Sequence, residues 1–146
     1  MNMEKHKEAM EEVYETINDA LNDTKGLLKH QRRIASMASL GMQHLIEMYF
    51  HKQNITKPGA HVKHEWFRMG ERNLRLKLSS ILASNASSAE KIAEIIPMAY
   101  RIESDRNEIM YGAPLEDDSK LREKIDTFLE IKNLIEKGDD DEKQTE

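Results

Sequence analysis

Residues 29–50 read KHQRRIASMASLGMQHLIEMYF. Ile34, Ala38, Met42, Leu45 and Tyr49 recur at three- and four-residue steps, which places them on one face of a helix. Ala35, Ser36, Ala38, Ser39 and Gly41 gather small side chains in the same stretch. Small residues let a second helix approach closely, either from the same chain or across a two-fold axis. The spacing predicts one long helix over 24–52. Asp23 or Thr24 is its expected cap, and Gly26 marks a bend from the helix before it.

The flanking sequence repeats this period. Met10, Val13, Tyr14, Ile17 and Leu21 form the stripe of a helix over 5–23. NITKPGA at 54–60 is a loop, because Pro58 and Gly59 make a strong turn signal. A third helix is expected over 64–84, with Phe67, Leu74, Leu78, Ile81 and Leu82 inward. Ser87 and Glu90 have the spacing of a capping box and open a fourth helix over 89–111, in which Pro97 should introduce a kink. Gly112, Ala113 and Pro114 end it. The fifth runs over 119–137 on Leu121, Ile125, Phe128, Leu129 and Ile135, with Gly138 as its C-cap. The expected fold is all-α: an antiparallel up-down helical bundle of four to five helices in one domain over 1–138. Residues 139–146, DDDEKQTE, have nothing to bury and are expected to form a disordered acidic tail.

Composition narrows the function. The 146 residues are 38% hydrophobic, enough for one core, and have only 3 prolines and 6 glycines, too few for the turns of a β-sandwich. There is no cysteine, so disulfides, thiolate metal sites and cysteine nucleophiles are excluded. No run is apolar enough for a membrane span, and the first residues lack the apolar core of a secretory leader. A cytoplasmic location is therefore expected. The net charge of −5 is unevenly spread: residues 1–23 carry −5, residues 24–115 carry +6 and residues 116–146 carry −6. A basic middle can meet phosphate, or it can meet the chain's own acidic ends.

The segment ESDRNEIMYG, 103–112, concentrates chemistry at a helix end. Glu103, Arg106 and Asn107 share a face, and Tyr111 follows Asn107 by one turn. Arginine offers a planar fork for phosphate, asparagine a donor and an acceptor, tyrosine a ring to stack on. Glu103 or Asp105 is the expected anion beside Arg106 in the empty protein. The plainer reading is a Glu103–Arg106 surface ion pair, worth about 0.3–0.5 kcal/mol, with Tyr111 in the core. A second set is basic: Lys63, Arg68, Arg72 and Arg75, the three arginines at i, i+4 and i+7. It reads either as a phosphate-tracking face or as a solvated one. Lys25, Lys29, Arg32 and Arg33 form another patch. The histidines are His6, His30, His44, His51, His61 and His64. His61 and His64 are three apart, but two ligands are too few for a metal, and no metal or other cofactor is expected. Alternatively, His51, His61 or His64 crosses the bundle to Arg106. Trp66 is expected to anchor the loop before it to the bundle.

KHQRRIASMASLGMQHLIEMYF, then GAHVKHEWF, then DRNEIMYG, then SKLREKIDTFLEIKNLIEKG resemble, in that order, the parts of a HEPN domain over roughly 25–137. The resemblance implies a helical module that binds a nucleotide or RNA through Arg106, Asn107 and Tyr111 with Glu103 and Asp105 nearby. It also implies a homodimer, and a setting such as a toxin–antitoxin system or a nucleotidyltransferase partner protein. The ribonuclease members resemble an arginine followed four to six residues later by histidine. This chain has Tyr111 there, so it is similar to the Arg/Tyr-Gly variant. Tyrosine, with an ordinary pKa near about 10, is a poor general base at neutral pH. Nucleotide or RNA binding is therefore the leading expectation. A metal-independent endoribonuclease using Arg106 and Tyr111 is the second, and a non-catalytic scaffold for protein–protein interaction is the third.

Overall fold

The computed structural model describes residues 3–53, 57, 60–82 and 89–145, with side chains as far as Glu136. Among these residues five α-helices form: α1 Met3–Asn22, α2 Gln31–Gln53, α3 Glu71–Ser80, α4 Ala89–Tyr111 and α5 Ser119–Thr145. Two 3₁₀ helices, Leu27–His30 and His64–Arg68, lead into α2 and α3. Among the described residues no strand is formed, and no helix is long and apolar enough to cross a membrane.

The long central helix decides the arrangement. α2 packs against α1, α4 and α5 together. Residues 41–46 are all buried, as expected for a helix enclosed on every side rather than along one stripe. The small residues permit this. A Cβ on Gly41 would stand 2.7 Å from the Phe128 ring of α5 and 2.9 Å from Val13 of α1. Ala35 and Ala38 are buried as well. The Ala35–Gly41 stretch is thus largely used inside the chain, where the sequence left open a contact across a two-fold axis.

Most stripe residues read from the sequence are buried, including Met10, Val13, Ile17, Ile34, Met42, Leu74, Leu78, Leu121 and Phe128. Four boundaries differ from expectation. α2 starts at Gln31, because Gly26, at φ 93°, and the 3₁₀ turn after it redirect the chain. The third helix is split. Met69 and Gly70 are extended, and α3 begins only after Gly70. Trp66 and Phe67, adjacent and both buried, anchor the 3₁₀ segment before the break. At its other end α3 stops at Ser80, short of the expected 84. α5 passes through Gly138 to Thr145, beyond the stop expected there. The Ser87 capping box and the Pro58–Gly59 turn lie outside the described residues.

α4 and α5 are joined by a charge pair that the sequence reading assigned otherwise. Lys124 of α5 is fully buried, and its Nζ pairs with Asp105 of α4. The same ammonium donates to the Arg101 carbonyl at 3.1 Å. Burial, with the nearby Arg101 charge, lowers the lysine to about 8, so it stays mostly charged at neutral pH. Removing one partner of such a pair leaves a buried charge uncompensated. Asp105→Ala should lower stability to urea by about 3 kcal/mol or more. Adding Lys124→Met should restore most of that loss. A single variant within about 0.5 kcal/mol of the parent, the range of ordinary surface changes, would show that the pair carries no structural role.

Candidate functional site

The face between α2, α4 and the His64–Arg68 segment contains a cleft of about 320 Å³. Ser36, Ser39 and Gln43 come to it from α2, Glu103 and Arg106 from α4, and His64 and Arg68 from the 3₁₀ helix. The break at Gly70 explains the presence of Arg68. An unbroken helix over 64–84 would have kept Arg68 on one line with Arg72 and Arg75. Instead Arg68 lines the cleft, while Arg72 and Arg75 stay exposed on α3 and Arg75 meets Glu71 at 3.6 Å. Lys63 is exposed and does not line the cleft.

Each residue of the 103–111 segment has a distinct position. Glu103 is buried, and its Oε2 accepts from Ser39 Oγ and, at 3.4 Å, from Gln43 Nε2. Asp105 is committed to Lys124. Arg106 is half-buried and donates from Nη1 to Asn107 Oδ1 at 3.2 Å. Neither carboxylate expected beside it forms that pair, and among the described residues no ion pair holds Arg106 or Arg68. The reason is competition: Ser39, Gln43 and Lys124 lie inside the bundle, where an unpaired carboxylate is most costly. Tyr111 is 78% exposed at the end of α4 and does not line the cleft. It is therefore not the core residue of the plainer reading.

Behind the cleft lies a cluster that the sequence reading missed. His6 of α1 and His44 of α2 are buried, with their Nδ1 atoms 2.9 Å apart. One ring must donate and the other accept. His6 Nε2 lies 3.4 Å from Glu47 Oε2. His64 Nε2 stands against the other oxygen, Glu47 Oε1. His64 is thus the partner of this buried oxygen. The His44 and His64 rings meet edge to face at 6.0 Å. Glu47 thus stands between the buried histidine pair and a cleft residue. Burial raises its carboxyl above the ordinary range, against the pull of His64. Only the three-residue spacing of His44 and Glu47 was visible in the sequence. His6 is 38 positions away and joins them through the packing of α1 on α2.

Of the three histidines considered as partners for Arg106, His64 reaches the same cleft. His51 and His61 are exposed and do not line it. Compared with family models, curated proteins and solved structures, the chain finds no match in any of the three.

The buried histidines predict a pH dependence. Burial, reinforced by His44, lowers His6 from 6.5 to about 4, and burial lowers His44 as well. The described titratable groups around His6 are His44, Glu47, behind Glu47 His64, and farther off His51. Between pH 6.5 and about 4 the unfolded chain binds a proton at His6 that the folded chain excludes. Stability therefore falls as the pH drops through that window, by an amount on the order of 3 kcal/mol for His6 when the pH lies below both values. Urea unfolding of chelator-treated protein at pH 7 and pH 4.5 should show the loss. His6→Gln should flatten the slope, and an unchanged slope would remove His6 as its source.

Proposed function

We propose that the chain binds the phosphate of a nucleotide or of RNA in the cleft between α2, α4 and the His64–Arg68 segment. The observation that carries this reading is the convergence of Arg68 and Arg106 on one cleft with no ion-paired carboxylate among the described residues. A guanidinium keeps its charge under all ordinary conditions, and its fork matches two phosphate oxygens. Glu103 opposes an anion there, but its Oε2 is turned onto Ser39 and Gln43, and the two arginines outnumber it. The HEPN resemblance agrees with an anion site led by Arg106. It adds a homodimer, and a nucleotidyltransferase partner or toxin–antitoxin setting, to the same proposal. Tyr111, outside the cleft lining, is reserved for bases that extend beyond the phosphate.

A second reading, metal-independent cleavage of RNA, is favoured by the position of His64. An imidazole beside a carboxylate on one nitrogen keeps the other for proton transfer, as in Glu–His and Asp–His dyads. Here Glu47 abuts His64 Nε2, and His64 lines the cleft with the two arginines. The ribose 2′-OH would give its proton to His64 and attack phosphorus, Arg68 and Arg106 would balance the added negative charge, and the 5′-oxygen would leave and take up a proton. The products are a 2′,3′-cyclic phosphate and a free 5′-hydroxyl.

Fluorescence anisotropy with labelled single-stranded RNA and with ATP tests the first reading. Arg106→Ala and Arg68→Ala should each weaken binding by at least about tenfold, the size expected for losing a charged hydrogen bond, with far-UV circular dichroism unchanged. Binding as tight as the parent's in both variants would overturn the site. RNA incubated with EDTA tests the second. His64→Ala should lower cleavage by about 10²–10⁴, and Tyr111→Phe should leave it intact. A chain that binds without cleaving supports the first reading alone. A chain that does neither, yet forms a stable protein complex, is a scaffold.

A further inference from the structure

The contact between α1 and α2 buries two imidazoles and a carboxylate whose ligand atoms lie within 4.8 Å of one another: His6, His44 and Glu47. Two features separate this set from an ordinary buried histidine pair. The first is geometric. A tetrahedral ion with bonds of about 2.0–2.2 Å holds its donor atoms about 3.4 Å apart. One donor atom from each of the three residues lies within 4.8 Å of the other two, not far from that spacing. The second is burial: His6 and His44 are buried and Glu47 nearly so, where the carboxylate's charge is best met by a cation.

We propose that His6, His44 and Glu47 form a binding site for one divalent transition-metal ion, for which zinc is the best fit. Two imidazoles and one carboxylate suit zinc, whereas magnesium and calcium prefer shells made of oxygen. His44 and Glu47 are one helical turn apart, a spacing with which helical bundles present an imidazole and a carboxylate to a shared ion. His6 completes the set from the neighbouring helix, so the ion staples α1 to α2. Burial also keeps both imidazoles in the neutral form that binds metal. Three protein ligands leave a fourth position, open to water or to His64. The site is separate from the His61–His64 pair considered in the sequence, since His61 is exposed and lies outside the cluster. It does not depend on phosphate binding at the cleft.

The test uses the full, untagged chain, stripped with chelator and dialysed free of it. Zinc titration by calorimetry should show one ion bound per chain, and the melting temperature should rise with zinc. Cobalt in the same site should give the intense visible absorption of tetrahedral coordination. His6→Gln and Glu47→Gln should each weaken zinc at least tenfold while retaining helical circular dichroism, and the exposed control His61→Ala should change nothing. Two variants guard against misfolding of either one. Absence of one-to-one zinc and cobalt binding overturns the site. So does binding that survives both ligand variants, or that is lost in His61→Ala.

Discussion

At Gly41, Phe128 of α5 and Val13 of α1 both come closer to α2 than a methyl group would allow. That approach lets α1, α4 and α5 surround α2, and it fixes the fate of the polar side chains on the central helix. Ser39, Gln43 and His44 are buried and take partners inside the bundle. Ser39 and Gln43 find Glu103 of α4, and His44 finds His6 of α1. The cleft and the histidine cluster are therefore two results of one packing decision. They form where an enclosed helix carries groups that require hydrogen bonds.

The charge asymmetry of the chain resolves in an unexpected sense. The basic middle and acidic ends suggested that the ends might neutralise the middle. Between α4 and α5 the described pairs run the other way. Lys120 and Lys124 of the acidic C-terminal stretch supply cations to Glu108 and Asp105 of the basic middle. Each of these pairs engages an acid of the middle that is then not free for its arginines. Arg68 and Arg106 thus remain available at the cleft, which is what supports the anion proposed there.

How much could be read in advance differed by residue. Periodicity found α1 almost to the residue, and boundary signals such as Gly112, rather than a stripe, placed α4. It misjudged Leu21 and Leu129, which fit their stripes and yet are exposed, since a period shows a face but not where its neighbour ends. On α5 the inward line runs through Lys124 and Ile131, and a buried lysine is invisible to a hydrophobic pattern. Glu103 and Arg106 were placed on one helix face, but the partners of Glu103 and Asp105 were not seen, because those choices depend on Ser39 and Lys124 across the bundle. His6, His44 and Glu47 were missed for the same reason. Helical spacing brings two of them together, and only tertiary packing adds the third.

Glu47 gives the two proposed sites a shared boundary. A carboxylate has two oxygens and one negative charge, and here one oxygen faces the buried histidine pair while the other abuts His64 at the cleft. Any event that draws electron density toward one oxygen weakens what the other can offer. Thermodynamic linkage then requires reciprocity: whatever occupancy on the inner side does to affinity on the outer side, outer occupancy must do to the inner side by the same factor. No moving domain is needed for such coupling, because the communicating element is a single side chain shared by two neighbourhoods.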